Sequence, residues 1–78
     1  MVTSEEKQLM KLAFYLLNKR LETNVTQSEI VEISGLSKSV VSKMETFKSI
    51  PSAITLVKYA NVLGLKLILV DDFPEEKK

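Results

Sequence analysis

Residues 26–46 read TQSEIVEISGLSKSVVSKMET. Two short amphipathic segments flank one glycine, and each opens on a hydroxyl residue. Thr26 stands three residues before Glu29, the spacing of a capping box, in which each side chain satisfies the other's free backbone N–H. Ile30 and Ile33 recur at helical spacing and face inward, with Glu29 and Glu32 outward. Gly35 stops this helix, because glycine takes the left-handed conformation after a helix end without a Cβ penalty. Ser37 caps the next helix two residues later. Val40, Val41 and Met44 form its apolar side, and Lys38, Ser39, Ser42, Lys43 and Thr46 its polar side.

Two helices joined by a tight glycine turn make a helix-turn-helix, and the spacing strengthens that reading. With Gln27 as the first position, Gly35 is ninth. Ile30, Leu36, Val41 and Met44 are fourth, tenth, fifteenth and eighteenth, the positions that pack between the two helices. All four are apolar.

Working outward, Thr3 and Glu6 form another capping box, followed by Leu9, Leu12, Ala13, Leu16 and Leu17 at helical spacing. This predicts a first helix over about 4–20, ended by Glu22, Thr23 and Asn24. The other helices are expected over 27–34, 38–46 and 52–63. The fourth opens at Pro51-Ser52, with Ser52 as N-cap, and closes at Gly64. Ile54, Leu56, Val57, Ala60 and Leu63 supply its buried side. Phe47 plugs the core beneath the loop before it. Tyr15 and Tyr59 read as half-buried packing residues.

Residues 65–70, LKLILV, break the helical pattern. Five of the six are apolar, which predicts a strand. A lone strand leaves its backbone groups unpaired, and no other segment offers a partner. The economical solution is the same strand of a second molecule, antiparallel across a twofold axis. Leu65, Leu67 and Leu69 then share the face that lies on the helices, and Lys66, Ile68 and Val70 the other. A helix-turn-helix domain over 1–70 is followed by a charged tail over 71–78.

The chain has 78 residues and is 45% hydrophobic, enough for one small core. It holds no cysteine and no histidine, which removes disulfide staples, thiolate metal sites and the usual general base. There is also no phosphate-type glycine loop and no carboxylate pair expected to face a cleft, so neither an enzyme nor a cofactor is expected. Net charge is +1, unevenly spread: residues 1–70 carry nine basic against six acidic side chains. That mild excess fits an anionic partner. Glu5 and Glu6 stand where a signal peptide would be positive, and the longest apolar run near them is too short to span a bilayer. A cytoplasmic protein without a membrane partner is the expectation.

These residues resemble the Cro and lambda-repressor type of helix-turn-helix, the xenobiotic-response-element-like regulators. TQSEIVEISGLSKSVVSKMET matches the motif, and PSAITLVKYANVLG matches the fourth-helix pattern that follows. The resemblance covers residues 26–64. It implies a mainly α, four-helix lambda-repressor-like domain that binds the major groove of double-stranded DNA as a homodimer. The implied function is a repressor on a palindromic operator. Three departures stand out: Val31 where alanine is usual, Ser34 where an apolar residue is usual, and Thr46-Phe47 after Glu45.

The candidate DNA contacts are Gln27, Ser28, Ser37, Lys38, Ser39, Val40, Ser42, Lys43, Thr46 and Lys48. The serines keep the helix slim enough for a groove about 12 Å wide, and lysines reach guanine edges or phosphates. In the family the matching glutamine contacts phosphate or supports the first exposed recognition residue, here Lys38. Taken alone, serines and lysines on one helix face are simply a solvated face; the spacing to Gly35 and the caps decide for DNA. Residues 65–70 are the candidate dimer interface. Some antitoxin repressors resemble this arrangement, with a terminal strand swapped into a dimer sheet. That makes a toxin protein a second candidate partner, meeting the first helix near Phe14 and Tyr15 or the acidic tail. A protein-interaction module that has lost DNA binding is the remaining alternative.

Overall fold

Each helix starts where a hydroxyl side chain is available to cap it. A computed structural model describes residues 2–68 and contains four helices: α1 (Ser4–Glu22), α2 (Gln27–Ser34), α3 (Lys38–Glu45) and α4 (Ala53–Val62). Thr3 and Glu6 close a reciprocal capping box on α1, both bonds at 3.0 Å. Thr26 and Glu29 close a second on α2 (3.1 and 2.8 Å). Ser37 Oγ accepts from the Val40 N–H and Ser52 Oγ from the Thr55 N–H. These bonds satisfy amides that a helix start otherwise leaves bare.

α1 runs two residues beyond the expected Arg20, and Asn24, at φ 60°, turns the chain after it. Asparagine is among the few residues that tolerate this left-handed conformation. α3 ends at Glu45, with Thr46 as its C-cap; Ser52 and Leu63 flank α4 as caps.

α2 packs on α3 and α4, and α1 packs on the same two. At their meeting point Ala13, Leu16, Ile30, Val41, Met44, Leu56, Tyr59 and Ala60 are buried. Leu9, Val25, Val31, Leu36, Val62, Leu63, Leu65 and Leu67 ring them.

Several expected placements are corrected. Ile33 is 69% exposed: the inward side of α2 runs through Ile30, Val31 and Ser34, and Ile33 points away from it. Ile54, at 64%, and Val57 lie opposite the buried Leu56, Tyr59 and Ala60 of α4. Tyr59 is fully buried, whereas Tyr15 is mostly exposed. Phe47 does not plug the core. It sits at φ 58°, partly exposed, with its ring 6.2 Å from that of Phe14.

The strand expected over 65–70 does not appear among the described residues. Residues 65–68 carry neither helix nor ladder, and Leu69 and Val70 lie outside the description. Among the described residues no other segment is extended for it to pair with. Its burial nevertheless alternates: Leu65 and Leu67 pack on the core, while Lys66 and Ile68 are exposed. No described helix is long and apolar enough to cross a membrane.

Candidate nucleic-acid interface

α3 is eight residues long, about 12 Å, and its two sides differ sharply. Val41, Met44 and Glu45 are buried at i, i+3 and i+4. Ser39, Ser42, Lys43 and Thr46 follow at i, i+3, i+4 and i+7 on the other side, with Ser39, Lys43 and Thr46 exposed and Ser42 half-buried. Lys38 is exposed in the first turn, and Val40 is 40% exposed on the boundary. No carboxylate among the described residues pairs with Lys38, Lys43 or Lys48.

The turn that presents α3 is hydrogen-bonded throughout. Gly35, at φ 80°, donates its N–H to the Val31 carbonyl at 3.0 Å. Ser34 Oγ accepts the Leu36 N–H at 3.0 Å. A serine at this position, unusual for the motif, therefore closes the turn with a bond that an apolar residue cannot make.

The orientation of α3 is held at its far end by Glu45. Arg20 of α1 approaches this carboxylate with two parallel bonds, Nε to Oε2 and Nη2 to Oε1, both 2.8 Å. Gln27 of α2 donates Nε2 to Oε1 at 2.9 Å, and Tyr59 of α4 donates its hydroxyl to Oε2. Arg20 also ties down the chain before α2, donating Nη1 to the Val25 carbonyl at 2.8 Å. Burial by itself raises the Glu45 carboxyl, but the bonds from Arg20, Tyr59 and Gln27 and the guanidinium charge hold it below its ordinary value. The bond to Glu45 raises Arg20, against the opposing effect of burial. Burial and then the bond to Glu45 raise the Tyr59 hydroxyl well above its usual range, so it remains a donor at neutral pH.

Sequence reasoning gave no site role to Arg20, Glu45 or Tyr59. One signal was present: Glu45 falls at i+4 from Val41, on the apolar side of its helix, where an acid needs a buried partner.

The remaining candidates are distributed around this frame. Gln27 has its amide nitrogen engaged by Glu45. Ser28 is exposed and, with Gln27, Val31, Glu32 and Lys38, borders a cleft of about 400 Å³. The hydroxyl of Ser37 serves as cap, and that of Thr46 donates to the Ser42 carbonyl at 2.8 Å. Ser39, Val40 and Lys43 border a second cleft, of about 290 Å³, whose far wall is residues 49–52 at the start of α4. Lys48 is exposed, and its backbone N–H donates to the Lys43 carbonyl at 2.9 Å.

A capped helix on a glycine turn, buried on one side and open on the other, is the helix-turn-helix architecture of DNA-binding domains. Comparison with protein-family models agrees: residues 16–70 match the helix-turn-helix family. The match spans more than half of the chain, which therefore belongs to this family of Cro and lambda-repressor-type DNA-binding transcriptional regulators. Such domains are typically non-enzymatic. No curated protein and no solved structure matches the chain.

Proposed function

We propose that this protein is a sequence-specific repressor that binds a palindromic operator as a homodimer, with one α3 in the major groove of each half-site. The observation that carries the reading is the exposed side of α3. Lys38, Ser39 and Lys43 stand on a helix whose axis the Glu45 cluster holds, and the two lysines make no ion pair among the described residues. Lysine reads guanine O6 and N7, serine bonds to either base type, and Val40 is placed for a thymine methyl. Ser28, Ser37, Ser42, Thr46 and Lys48 lie at the margin and position the domain on phosphates, together with the N-terminal amides of α2 next to Gln27. A second copy, paired through residues 65–70, sets the two recognition helices about one helical turn of DNA apart. The reading places the protein in the cytoplasm, with its operator.

The test is selection of bound sites from random duplexes, with a palindromic consensus as the expected result. On the selected duplex, Lys38→Glu with Lys43→Glu should weaken binding at least about thirtyfold, since each good base contact is worth about 1–3 kcal/mol. Far-UV circular dichroism should be unchanged, because both side chains are exposed. Unaltered affinity in the double variant would sink the reading.

One observation favours a second role, that of an antitoxin. Val2, Met10, Phe14 and Phe47 line an apolar groove of about 460 Å³, flanked by Lys7 and Lys11, on a side of α1 where Phe14 is 56% exposed. Apolar surface of this kind suits a protein partner. A toxin gene beside this one, with binding of its product lost on Phe14→Glu, would support that role.

A further inference from the structure

Three of the chain's five isoleucines are more than 60% exposed: Ile33, Ile54 and Ile68. A single exposed aliphatic residue is ordinary, but several on one contiguous surface mark a contact site. Ile54, Val57, Lys58 and Asn61 follow at i, i+3, i+4 and i+7, so they share the outer side of α4. Ile33, at the end of α2, joins them through a shallow cleft lined also by Lys58, Asn61 and Val62. The chain beyond α4 starts from this same turn: the Gly64 N–H donates to Asn61 and the Leu65 N–H to Ala60 (3.1 and 2.9 Å). It then leads to Ile68, which is 75% exposed.

We propose that the outer side of α4, with Ile33 and Ile68, is the helical part of a twofold contact between two copies of this chain. The inference rests on the homodimer reading and adds the surface that reading lacks. Residues 65–70 offer six positions per copy, and Leu65 and Leu67 are already packed on their own core. A stable interface takes about 800 Å² and some twenty to thirty residues from each partner, and a two-stranded ribbon alone is marginal in water. The contact must therefore draw on further apolar surface, and the segment leaves directly from the last turn of α4, next to Asn61. Its composition suits contact with itself. It carries no carboxylate, Asn61 both donates and accepts and so pairs with its own copy, and Lys58 has a long enough stem to carry its charge to the rim.

The experiment uses the full chain. Sedimentation equilibrium should show Ile54→Glu with Val57→Glu raising the dimer dissociation constant at least about thirtyfold, with helical circular dichroism retained. Because the chain has no cysteine, Asn61→Cys adds a single thiol to this side. A short bismaleimide should join two copies of that variant but not of Gln8→Cys, whose thiol would lie on the exposed side of α1. The cross-linking result decides the matter if the glutamate variant fails to fold. An unchanged dimer constant, or cross-linking at position 8 and not at 61, overturns the inference. A dimer that is lost on deleting residues 65–78 yet indifferent to Ile54 and Val57 overturns it while leaving the homodimer reading intact. A wild-type chain that stays monomeric at high concentration and on DNA overturns both.

Discussion

On one side of α3, Glu45 accepts hydrogen bonds from each of the other three helices, through Arg20, Gln27 and Tyr59. On the other side, Lys38 and Lys43 have no ion-pair partner among the described residues. The two sides lie one helix diameter apart, yet one is fully satisfied and the other leaves its two lysine ammoniums without a carboxylate among the described residues. The difference teaches what a reading helix needs. Its axis must be fixed before the ligand arrives, or ordering it subtracts from affinity. Its donors must stay uncommitted, or they have nothing to offer a base edge. A buried ion pair is weak grounds for claiming net stability, since desolvation offsets much of its attraction. Here its geometric effect is the clearer one: a single carboxylate locks the end of α3 against α1, α2 and α4 together.

Removing the satisfied side should have the largest effect. Glu45→Gln leaves the Arg20 guanidinium, whose side chain is only 12% exposed, without its counter-charge. Breaking such a pair from one end costs about 3–5 kcal/mol, a large share of the stability of a domain this small. Denaturant unfolding at pH 7 should show this loss. The effect is tied to acid as well. The folded state holds the Glu45 carboxyl below its ordinary value of 4.5, so its contribution is fully present above that value. It fades as pH falls through the lower, folded value. The gap between wild type and Glu45→Gln should therefore be widest at neutral pH and narrow below about pH 4. A gap that stays constant down to pH 2 would show that Glu45 holds no special charge in the fold.

A smaller effect is expected at the joint between the two sides. Gly35→Ala meets no atom within 4 Å, so crowding is not the issue. The cost comes from φ 80°, a left-handed conformation that alanine adopts only at about 1–2 kcal/mol. The melting temperature should fall by several degrees, and DNA affinity should fall less than in the lysine double variant, because the exposed side of α3 is untouched.

What the sequence disclosed, and what it hid, divides along the same line. Features set by near neighbours were legible: both capping boxes, the Ser37 and Ser52 caps and the left-handed Gly35 all appear where the spacing puts them. The exposure of Ser39, Lys43 and Lys48 follows from the same local pattern. Features set by distant residues were not legible. Arg20 meets Glu45 across 25 positions, and periodicity names no partner at that range. Ile33 and Ile54 were assigned inward because a period identifies a stripe of residues without saying which stripe the rest of the chain covers. Phe47 was expected to plug the core beneath its loop, but it occupies a left-handed position that nothing in its own chemistry favours. The 65–68 segment shows the intermediate case. Its alternation was readable and appears in its burial, whereas a ladder needs a second strand.

The smallest expected effect lies at the edge of the open side. Lys48 is exposed, makes no ion pair among the described residues and follows Phe47, whose left-handed backbone sets the direction of the chain there. Lys48→Ala should leave folding stability within about 0.5 kcal/mol, as exposed substitutions generally do. If its ammonium rests on a phosphate, the variant should bind selected and unselected duplexes about equally less well. The slope of log affinity against log salt should also become shallower by about one unit. If Lys38 and Lys43 meet base edges as proposed, Lys38→Ala and Lys43→Ala should instead lose affinity mainly for the selected sequence. If all three variants shift only the salt slope, the exposed side of α3 grips the backbone without reading bases, and the contrast between its two sides reduces to one of charge.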